Sequence, residues 1–180
     1  MWKIANSMQV NSNYNPLVSD AAATLIDEFE KLSTDDKLAA LYFIYEKMGT
    51  SITPAAPNAA DPELAPMLIG EYLELSDDKQ LEIMRDIVNR KDTDYSRAYG
   101  ALSENNQLLV WYIWADKMGS EVVDIPQNAA NETINKLVGR VEEISFEDQI
   151  SILRELATNM GYTGVKPIPT QAETGKTSSL

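Results

Sequence analysis

The sequence contains neither cysteine nor histidine among its 180 residues. The absence of cysteine excludes disulfides, thiolate nucleophiles and thioether attachment of a prosthetic group. The absence of histidine excludes imidazole ligands for a metal or haem and serine triads that use an imidazole base. Carboxylates, lysine and tyrosine remain, but no motif arranges them for catalysis. We therefore predict no catalytic residue, no metal site and no enzymatic activity.

Basic residues and long apolar runs are also scarce. The chain has 15 Lys and Arg against 28 Asp and Glu, a net charge of −13. Such a charge argues against nucleic acid and anionic membranes as partners, since both attract basic proteins. No apolar run approaches the roughly 20 residues of a membrane span, and no secretory signal is visible. We expect a cytoplasmic protein without a membrane span.

One stretch occurs twice. Residues 33–49 read STDDKLAALYFIYEKMG and residues 103–119 read SENNQLLVWYIWADKMG, an offset of 103 − 33 = 70 residues. Each copy opens with a serine suited to an N-cap and closes on a glycine suited to a left-handed C-terminal position. The middle of each copy is apolar on every helical face. The sequence therefore predicts two central helices that are buried all round.

Aromatic and methionine side chains follow one stripe of each predicted helix. At helical spacing the stripes contain Leu38, Leu41, Tyr42, Tyr45 and Met48, and Leu108, Trp111, Tyr112, Ala115 and Met118. Such stripes are most often core packing. They also suit an extended, flat apolar ligand, and Trp114 fits either role. The pattern leaves both interpretations open.

Further capping signals at Ser76 and Ser145 divide the rest of the chain into helices. We expect these at about residues 17–32, 62–75, 76–90, 95–102 and 145–161, with one more helix after Asn128-Ala129-Ala130. No strand pattern is present, so the prediction is an all-α fold in which two halves, related by an internal duplication, interleave. We expect residues 1–16 to form an N-terminal arm, 17–161 the helical domain and 162–180 a disordered tail.

Five segments in order carry a resemblance to a known family. They are LAALYFIYEKMG, ITPAAPNAA, NRKDTDYSRAYGAL, LLVWYIWADKMG and ILRELATNMG. Over about residues 17–161 the chain closely resembles the N-terminal domain of the cyanobacterial orange carotenoid protein, and it looks like a free-standing helical carotenoid homologue. The resemblance implies an all-α fold of two interleaved four-helix subdomains, through the centre of which a keto-carotenoid, canthaxanthin or echinenone, binds non-covalently.

The resemblance also implies the residues that contact the pigment. Tyr45 and Trp111 fall where the family stacks aromatic rings on a carotenoid end ring, and Tyr42 stands where it has a tryptophan. The full set of implied carotenoid-binding residues is Leu38, Leu41, Tyr42, Tyr45, Pro57, Met84, Leu108, Trp111, Tyr112, Met118, Ile125 and Ile152.

The expected function is photoprotection, by quenching singlet oxygen or by carrying carotenoid. The alternatives are quenching of phycobilisome excitation energy and a pigment-free module for protein interaction. Arg154 matches a family residue that docks to the phycobilisome, but a solvated helix arginine is the favoured interpretation. Expected partners are the carotenoid, a second copy or a carotenoid-transfer partner, and the phycobilisome. The resemblance also implies association with the thylakoid or phycobilisome.

Overall fold

A computed structural model describes residues 18–48 and 65–164, and within these ranges the chain is helical with no β-sheet. The α-helices are α1 Asp20–Glu30, α2 Thr34–Met48, α3 Pro66–Ile69, α4 Asp77–Val88, α5 Asp94–Gly100, α6 Glu104–Asp116, α7 Glu132–Glu143 and α8 Phe146–Thr158. A 3₁₀-helix, Glu71–Glu74, lies between α3 and α4. The all-α prediction is confirmed.

The helices belong to two compact units, each built from two separate chain segments. Of the described residues, 18–48 and 126–156 form the first unit, which contains α1, α2, α7 and most of α8. Residues 65–125 and 157–164 form the second unit, which contains α3 to α6. The interleaved order follows from this division. The proposed duplication stays a prediction, as do the domain boundaries at residues 16 and 162.

Serine side chains begin three of the four helices for which capping was predicted. The Oγ atoms of Ser33, Ser103 and Ser145 each accept a bond from the backbone N–H three residues later, at 3.2, 3.4 and 3.2 Å. Ser76 has the extended backbone of an N-cap, but its side chain makes no capping bond to α4. The prediction of a side-chain cap is wrong at Ser76, although α4 begins at the next residue as expected.

A second contact recurs at the same helix starts. The side chain four positions after each serine contacts the residue four positions before that serine, at the end of the preceding helical segment. Gln80, Gln107 and Gln149 donate from Nε2 to the carbonyls of Tyr72, Tyr99 and Val141, at 3.2, 3.1 and 2.8 Å. At Ser33 the position holds Lys37, whose Nζ lies 5.9 Å from the Phe29 ring centroid. The three glutamine bonds give a further donor to carbonyls near helix C-termini, where the regular bond from the residue four positions later is missing.

Helix ends differ from the predictions in two places. The helix expected over 62–75 is interrupted at Gly70, between α3 and the 3₁₀-helix, and residues 62–64 lie outside the described part. Helix α6 ends at Asp116, three residues before Gly119, because 117–122 form a turn in which the Gly119 N–H donates to the Val122 carbonyl at 2.9 Å. Gly119 has φ of 80°, which confirms the left-handed glycine predicted there, whereas Gly49, the other glycine so predicted, lies outside the described residues. Gly161 is also left-handed, with φ of 81°.

In the first unit, α2 packs against α7, and α1 against both. The N-cap of α7, Asn131, donates from Nδ2 to Asp36 in the first turn of α2, at 3.0 Å. At the other ends of these helices, Lys47 Nζ lies 3.9 Å from Glu142. The two helices therefore run in the same direction.

In the second unit, the buried side chain of Gln80 binds the backbone of residues 121–123 to the start of α4. Besides the Tyr72 carbonyl, its amide nitrogen donates to the Glu121 carbonyl at 3.0 Å, and its Oε1 accepts from the Val123 N–H at 2.7 Å. A buried amide with all these bonds made is stable in place, whereas one left unpaired would cost free energy.

Within residues 18–48 and 65–164 no helix is both long and apolar enough to cross a bilayer. The longest, α2, has 15 residues, against about 20 needed to span.

Candidate functional site

Helix α2 divides its aromatic stripe between core and surface. Leu41, Tyr45 and Met48 are buried, whereas Leu38 and Tyr42 are half-buried. Phe43, beside Tyr42, is also half-buried, and the two rings meet edge to face with centroids 5.3 Å apart. The expectation that α2 is buried on every face is therefore wrong, because three large apolar side chains keep part of their surface open.

Helix α6 repeats this division. Trp111 is 4% exposed, whereas Leu108, Tyr112 and Ile113 are half-buried. At the offset of 70, the half-buried positions of α6 correspond one by one to Leu38, Tyr42 and Phe43 of α2. We call these two triads the α2 surface and the α6 surface. Each is a partly exposed apolar strip on a helix whose opposite side is in the core.

A buried hydrogen-bond chain fixes the orientation of Trp111. Its indole Nε1 donates to the Tyr99 hydroxyl at 2.8 Å, and that hydroxyl donates to the Ala157 carbonyl at 2.7 Å. Tyr99 is fully buried, and its ring meets the Trp111 ring edge to face, with centroids 6.2 Å apart. Because the indole has a single polar hydrogen, this bond and the edge-to-face contact together hold the Trp111 ring in one orientation.

Trp114 belongs to the core of the second unit. It is 1% exposed, and its Nε1 donates to the Leu68 carbonyl at 2.9 Å. Its ring stacks on Tyr72, with centroids 4.2 Å apart, and meets Trp111 edge to face at 5.1 Å. Of the two roles left open by the sequence, the structure therefore supports core packing for Trp114.

The other implied contacts are spread over both units. Met84, on α4 of the second unit, and Ile152, on α8 of the first, are buried. Met118 and Ile125 follow α6 and are half-buried. Pro57 lies outside the described residues. Whether any of these side chains touches a ligand stays a prediction. Arg154 is exposed on α8, as a solvated arginine would be.

Burial sets the ionisation of two tyrosines. The pKa values of Tyr45 and Tyr72 are both raised above the usual value of 10, because their phenolate forms would lose hydration. Both phenols are therefore neutral at ordinary pH. In residues 18–48 and 65–164 the carboxylates form no group that could hold a metal ion.

Tyr72 stacks on Trp114, and Tyr99 accepts the indole hydrogen bond of Trp111. The sequence interpretation assigned neither tyrosine a role. A signal was present, because each tyrosine stands four residues before a serine at a helix start, and a glutamine stands four residues after that serine. Phe29 precedes Ser33 by the same interval. The spacing places an aromatic ring at each of these helix junctions, from which it enters the core.

A family model described as the N-terminal domain of the orange carotenoid protein matches residues 15–163. The chain belongs to this family. Within the orange carotenoid protein family, the chain is 38% identical over 144 residues to an orange carotenoid-binding domain-containing protein of Nostoc sp.. That match covers 79% of this chain and 84% of the relative.

Two longer relatives are similar over part of their length. The chain is 33% identical over 156 residues to the orange carotenoid-binding protein of Synechocystis sp. and 32% identical over 148 residues to that of Limnospira maxima. The matches cover 84% and 81% of this chain. The chain spans about half the length of these relatives, 49% and 47%.

Solved structures in the orange carotenoid protein family have the same fold. The Red Carotenoid Protein of Anabaena (Nostoc) sp., with bound canthaxanthin, gives a TM-score of 0.69 at 29% identity, covering 79% of this chain and 99% of that protein. The Orange Carotenoid Protein of the same organism, also binding canthaxanthin, gives 0.74 at 30% identity, covering 84% of this chain and 50% of that protein. None of these named relatives is named as an enzyme.

Proposed function

We propose that this chain binds a keto-carotenoid of the canthaxanthin type without a covalent bond and serves in photoprotection, as a singlet-oxygen quencher or a carotenoid carrier. The observation that carries the proposal is the pair of matching apolar strips, the α2 surface and the α6 surface, in a chain whose relatives of known structure bind canthaxanthin. The absence of cysteine agrees with non-covalent binding.

The residues fit such a group chemically. A carotenoid is a long hydrocarbon, and burying it releases about 25 cal/mol for each Å² of apolar surface removed from water. The α2 surface and the α6 surface contain only Leu, Ile, Phe and Tyr, so no charge would be desolvated. When bound, the pigment supplies low-lying excited states that accept energy from singlet oxygen.

The protein contributes position and exclusion of water. In the second unit, the bond from Trp111 to Tyr99 holds the indole in one plane, and a flat ring held in this way can stack on a flat end ring. In the first unit, Tyr45 is a buried neutral phenol on the same helix as the α2 surface. We propose stacking roles for both rings, together with contacts from the rest of the implied set.

The decisive experiment is purification of the chain from cells that also make canthaxanthin. A red-shifted, broadened carotenoid band that stays with the protein through gel filtration would support the proposal. A colourless, folded helical protein would overturn it and favour a pigment-free interaction module. Quenching of photosensitised singlet-oxygen emission, compared with the pigment-free protein, would then test the photoprotective part.

Variants should be placed on the half-buried strips. Replacing Trp111 by serine would remove a core ring and its hydrogen bond, so loss of pigment could reflect loss of fold. Tyr42→Ser and Tyr112→Ser remove half-buried rings and should lower the bound pigment while circular dichroism stays helical. Tyr95→Ser, a half-buried tyrosine on α5 outside the implied set, is the matched control.

Carriage or singlet-oxygen quenching ranks above antenna quenching because a net charge of −13 would be repelled by the acidic phycobilisome. Purified pigmented protein should leave the fluorescence lifetime of phycobilisomes unchanged. Strong quenching at low stoichiometry, lost in Arg154→Glu, would reverse this ranking and place the protein at the antenna. Pigment transfer to an apoprotein partner would distinguish a carrier from a quencher.

A further inference from the structure

The chain that follows α8 is held against the second unit by its backbone. Residues 157–162, the last two residues of α8 and the four after them, belong to that unit, and we call them the strap. The Gly161 N–H donates to the Ile87 carbonyl near the end of α4, at 2.8 Å, and the Tyr162 N–H donates to the Ser96 carbonyl in α5, at 3.0 Å. The strap is therefore bonded to two helices at once.

Glycine on both sides lets the strap and the end of α5 approach closely. Gly161 has φ of 81°, and a Cβ there would lie 2.5 Å from Tyr99 Cδ1. Gly100 is the last residue of α5, and a Cβ there would overlap the carbonyl oxygen of Tyr162. A side chain at either glycine would push the two backbones apart, because the space that it needs is already filled. The contact therefore depends on both glycines.

The strap holds Tyr99 at two points. The fully buried Tyr99 donates from its hydroxyl to the Ala157 carbonyl at 2.7 Å, and the edge of its ring lies against Gly161. The same hydroxyl accepts the indole bond of Trp111 at 2.8 Å. A shift of the strap would move the acceptor of the hydroxyl and release the ring edge, so the atom that holds the indole would move as well. The backbone of the strap is thereby linked to the orientation of Trp111 through one side chain.

The orientation of an aromatic ring affects a conjugated pigment that stacks on it. Stacked rings prefer particular angles and offsets, so a turned indole would hold the end ring of a carotenoid at a different angle to the polyene. The length of conjugation, and with it the absorption band, depends on that angle. Groups that lock the rotamer of a contacting side chain therefore tune the pigment without touching it.

We propose that the strap positions Trp111 for the pigment, with Gly100, Gly161 and Tyr99 as positioning residues. The strap and the end of α5 fix the Tyr99 hydroxyl, the hydroxyl fixes the indole, and the indole sets the angle of a carotenoid end ring. The effect on the pigment rests on the proposed function, whereas the link from the strap to Trp111 belongs to the pigment-free protein as well. Each can therefore be tested without the other.

The first test uses the ¹⁵N-labelled full chain without pigment and follows the indole N–H of Trp111. Gly100→Ala pushes the strap away from α5 and leaves the side chains of Tyr99 and Trp111 intact. The indole signal should move upfield, as expected for Tyr99→Phe, and the indole hydrogen should exchange with solvent at least about fivefold faster, the equivalent of one ordinary hydrogen bond. Gly139→Ala, a glycine replacement in α7 with open space around the new Cβ, is the matched control and should change neither.

A double variant separates positioning from a general loss of stability. If the strap acts through the Tyr99 hydroxyl, Gly100→Ala should not move the indole signal further in a chain that already carries Tyr99→Phe. An equal shift with and without the hydroxyl, or no shift in Gly100→Ala alone, would overturn the proposal.

Tyr162→Ala is a milder change for the case in which Gly100→Ala does not fold. The Tyr162 ring is half-buried, and its centroid lies 5.7 Å from Arg97 Cζ, so its removal loosens the strap while the backbone bonds can still form. Exchange should become faster at both the Gly161 amide and the Trp111 indole. Faster exchange of the Gly161 amide with an unchanged indole would overturn the proposal.

The second test repeats the measurement with canthaxanthin bound. Gly100→Ala should move the absorption band in the same direction as Tyr99→Phe, and Gly139→Ala should leave it in place. A band that stays in place in Gly100→Ala, although the indole signal moves, would overturn the effect on the pigment while the proposed function stands. A wild-type chain that binds no canthaxanthin would overturn both, and the pigment-free indole signal alone would then decide whether the strap orients Trp111.

Discussion

Removing one hydroxyl, in Tyr99→Phe, should change the stability of the protein and the environment of a single indole. The phenylalanine ring fills the same space, so no cavity is created. Trp111 Nε1 loses the acceptor at 2.8 Å, and the Ala157 carbonyl loses the donor at 2.7 Å. The variant therefore isolates the hydrogen bonds from the packing of the ring.

The expected loss of stability follows from what is left unpaired. The Ala157 carbonyl also accepts from the Met160 N–H at 3.3 Å, so it keeps a partner. The Trp111 indole loses its acceptor inside a buried site, which costs about 1–3 kcal/mol. We expect a loss near 2 kcal/mol, which lowers Tm by roughly 4–8 °C for a chain of this size.

Tyr72→Phe is the matched control. Tyr72 is another buried tyrosine packed on a tryptophan, but its hydroxyl donates over 3.3 Å to the Gln80 carbonyl and no indole donates to it in the described structure. Its removal should cost about 0.5–1.5 kcal/mol, the net value of an ordinary hydrogen bond. The difference between the two variants measures the unpaired indole.

The assays are urea unfolding and the indole region of a ¹H–¹⁵N spectrum, which contains three signals because the chain has three tryptophans. Tyr99→Phe should move the Trp111 indole signal upfield, and Tyr72→Phe should leave it in place. With canthaxanthin bound, Tyr99→Phe should also move the absorption band. An unchanged indole signal together with a stability loss below about 0.5 kcal/mol would refute the reasoning.

Three further changes test the framework around the site. Gly161→Ala should cost about 2–4 kcal/mol in urea unfolding, because φ is 81° and the new Cβ would lie 2.5 Å from Tyr99 Cδ1. Gly139→Ala in α7, where the new Cβ has open space, should instead stabilise the protein by about 0.5–1 kcal/mol. Gln80→Leu should cost about 3 kcal/mol, since three backbone groups lose their bonds to the buried amide; a loss under 1 kcal/mol would contradict this. Tyr45 stays protonated in the folded state at a pH where the unfolded chain has lost that proton, so the free energy of unfolding should fall as pH rises above about 10. In alkaline urea titrations, Tyr45→Phe should reduce this slope by about 1.4 kcal/mol per pH unit.

Local signals in the sequence determined the helices. Serines and a repeated apolar middle placed α2, α4, α6 and α8 within a few residues of where they lie, because capping and periodicity act over one or two turns. The same locality explains why the left-handed glycine at position 119 was predicted correctly. It also explains one error, since Ser76 has the right position and backbone but no side-chain bond to the helix.

Tertiary packing decided the roles of the aromatic residues. Composition could not tell that Trp114 stacks on Tyr72 in the core, or that α2 and α6 each keep an apolar strip half-open. The reason is that a side chain's burial and partners depend on residues far along the chain, such as Ala157 for Tyr99, 58 positions away. The sequence by itself determined the helices and the family resemblance; only the folded chain determined which rings pack the core and which remain available to a ligand.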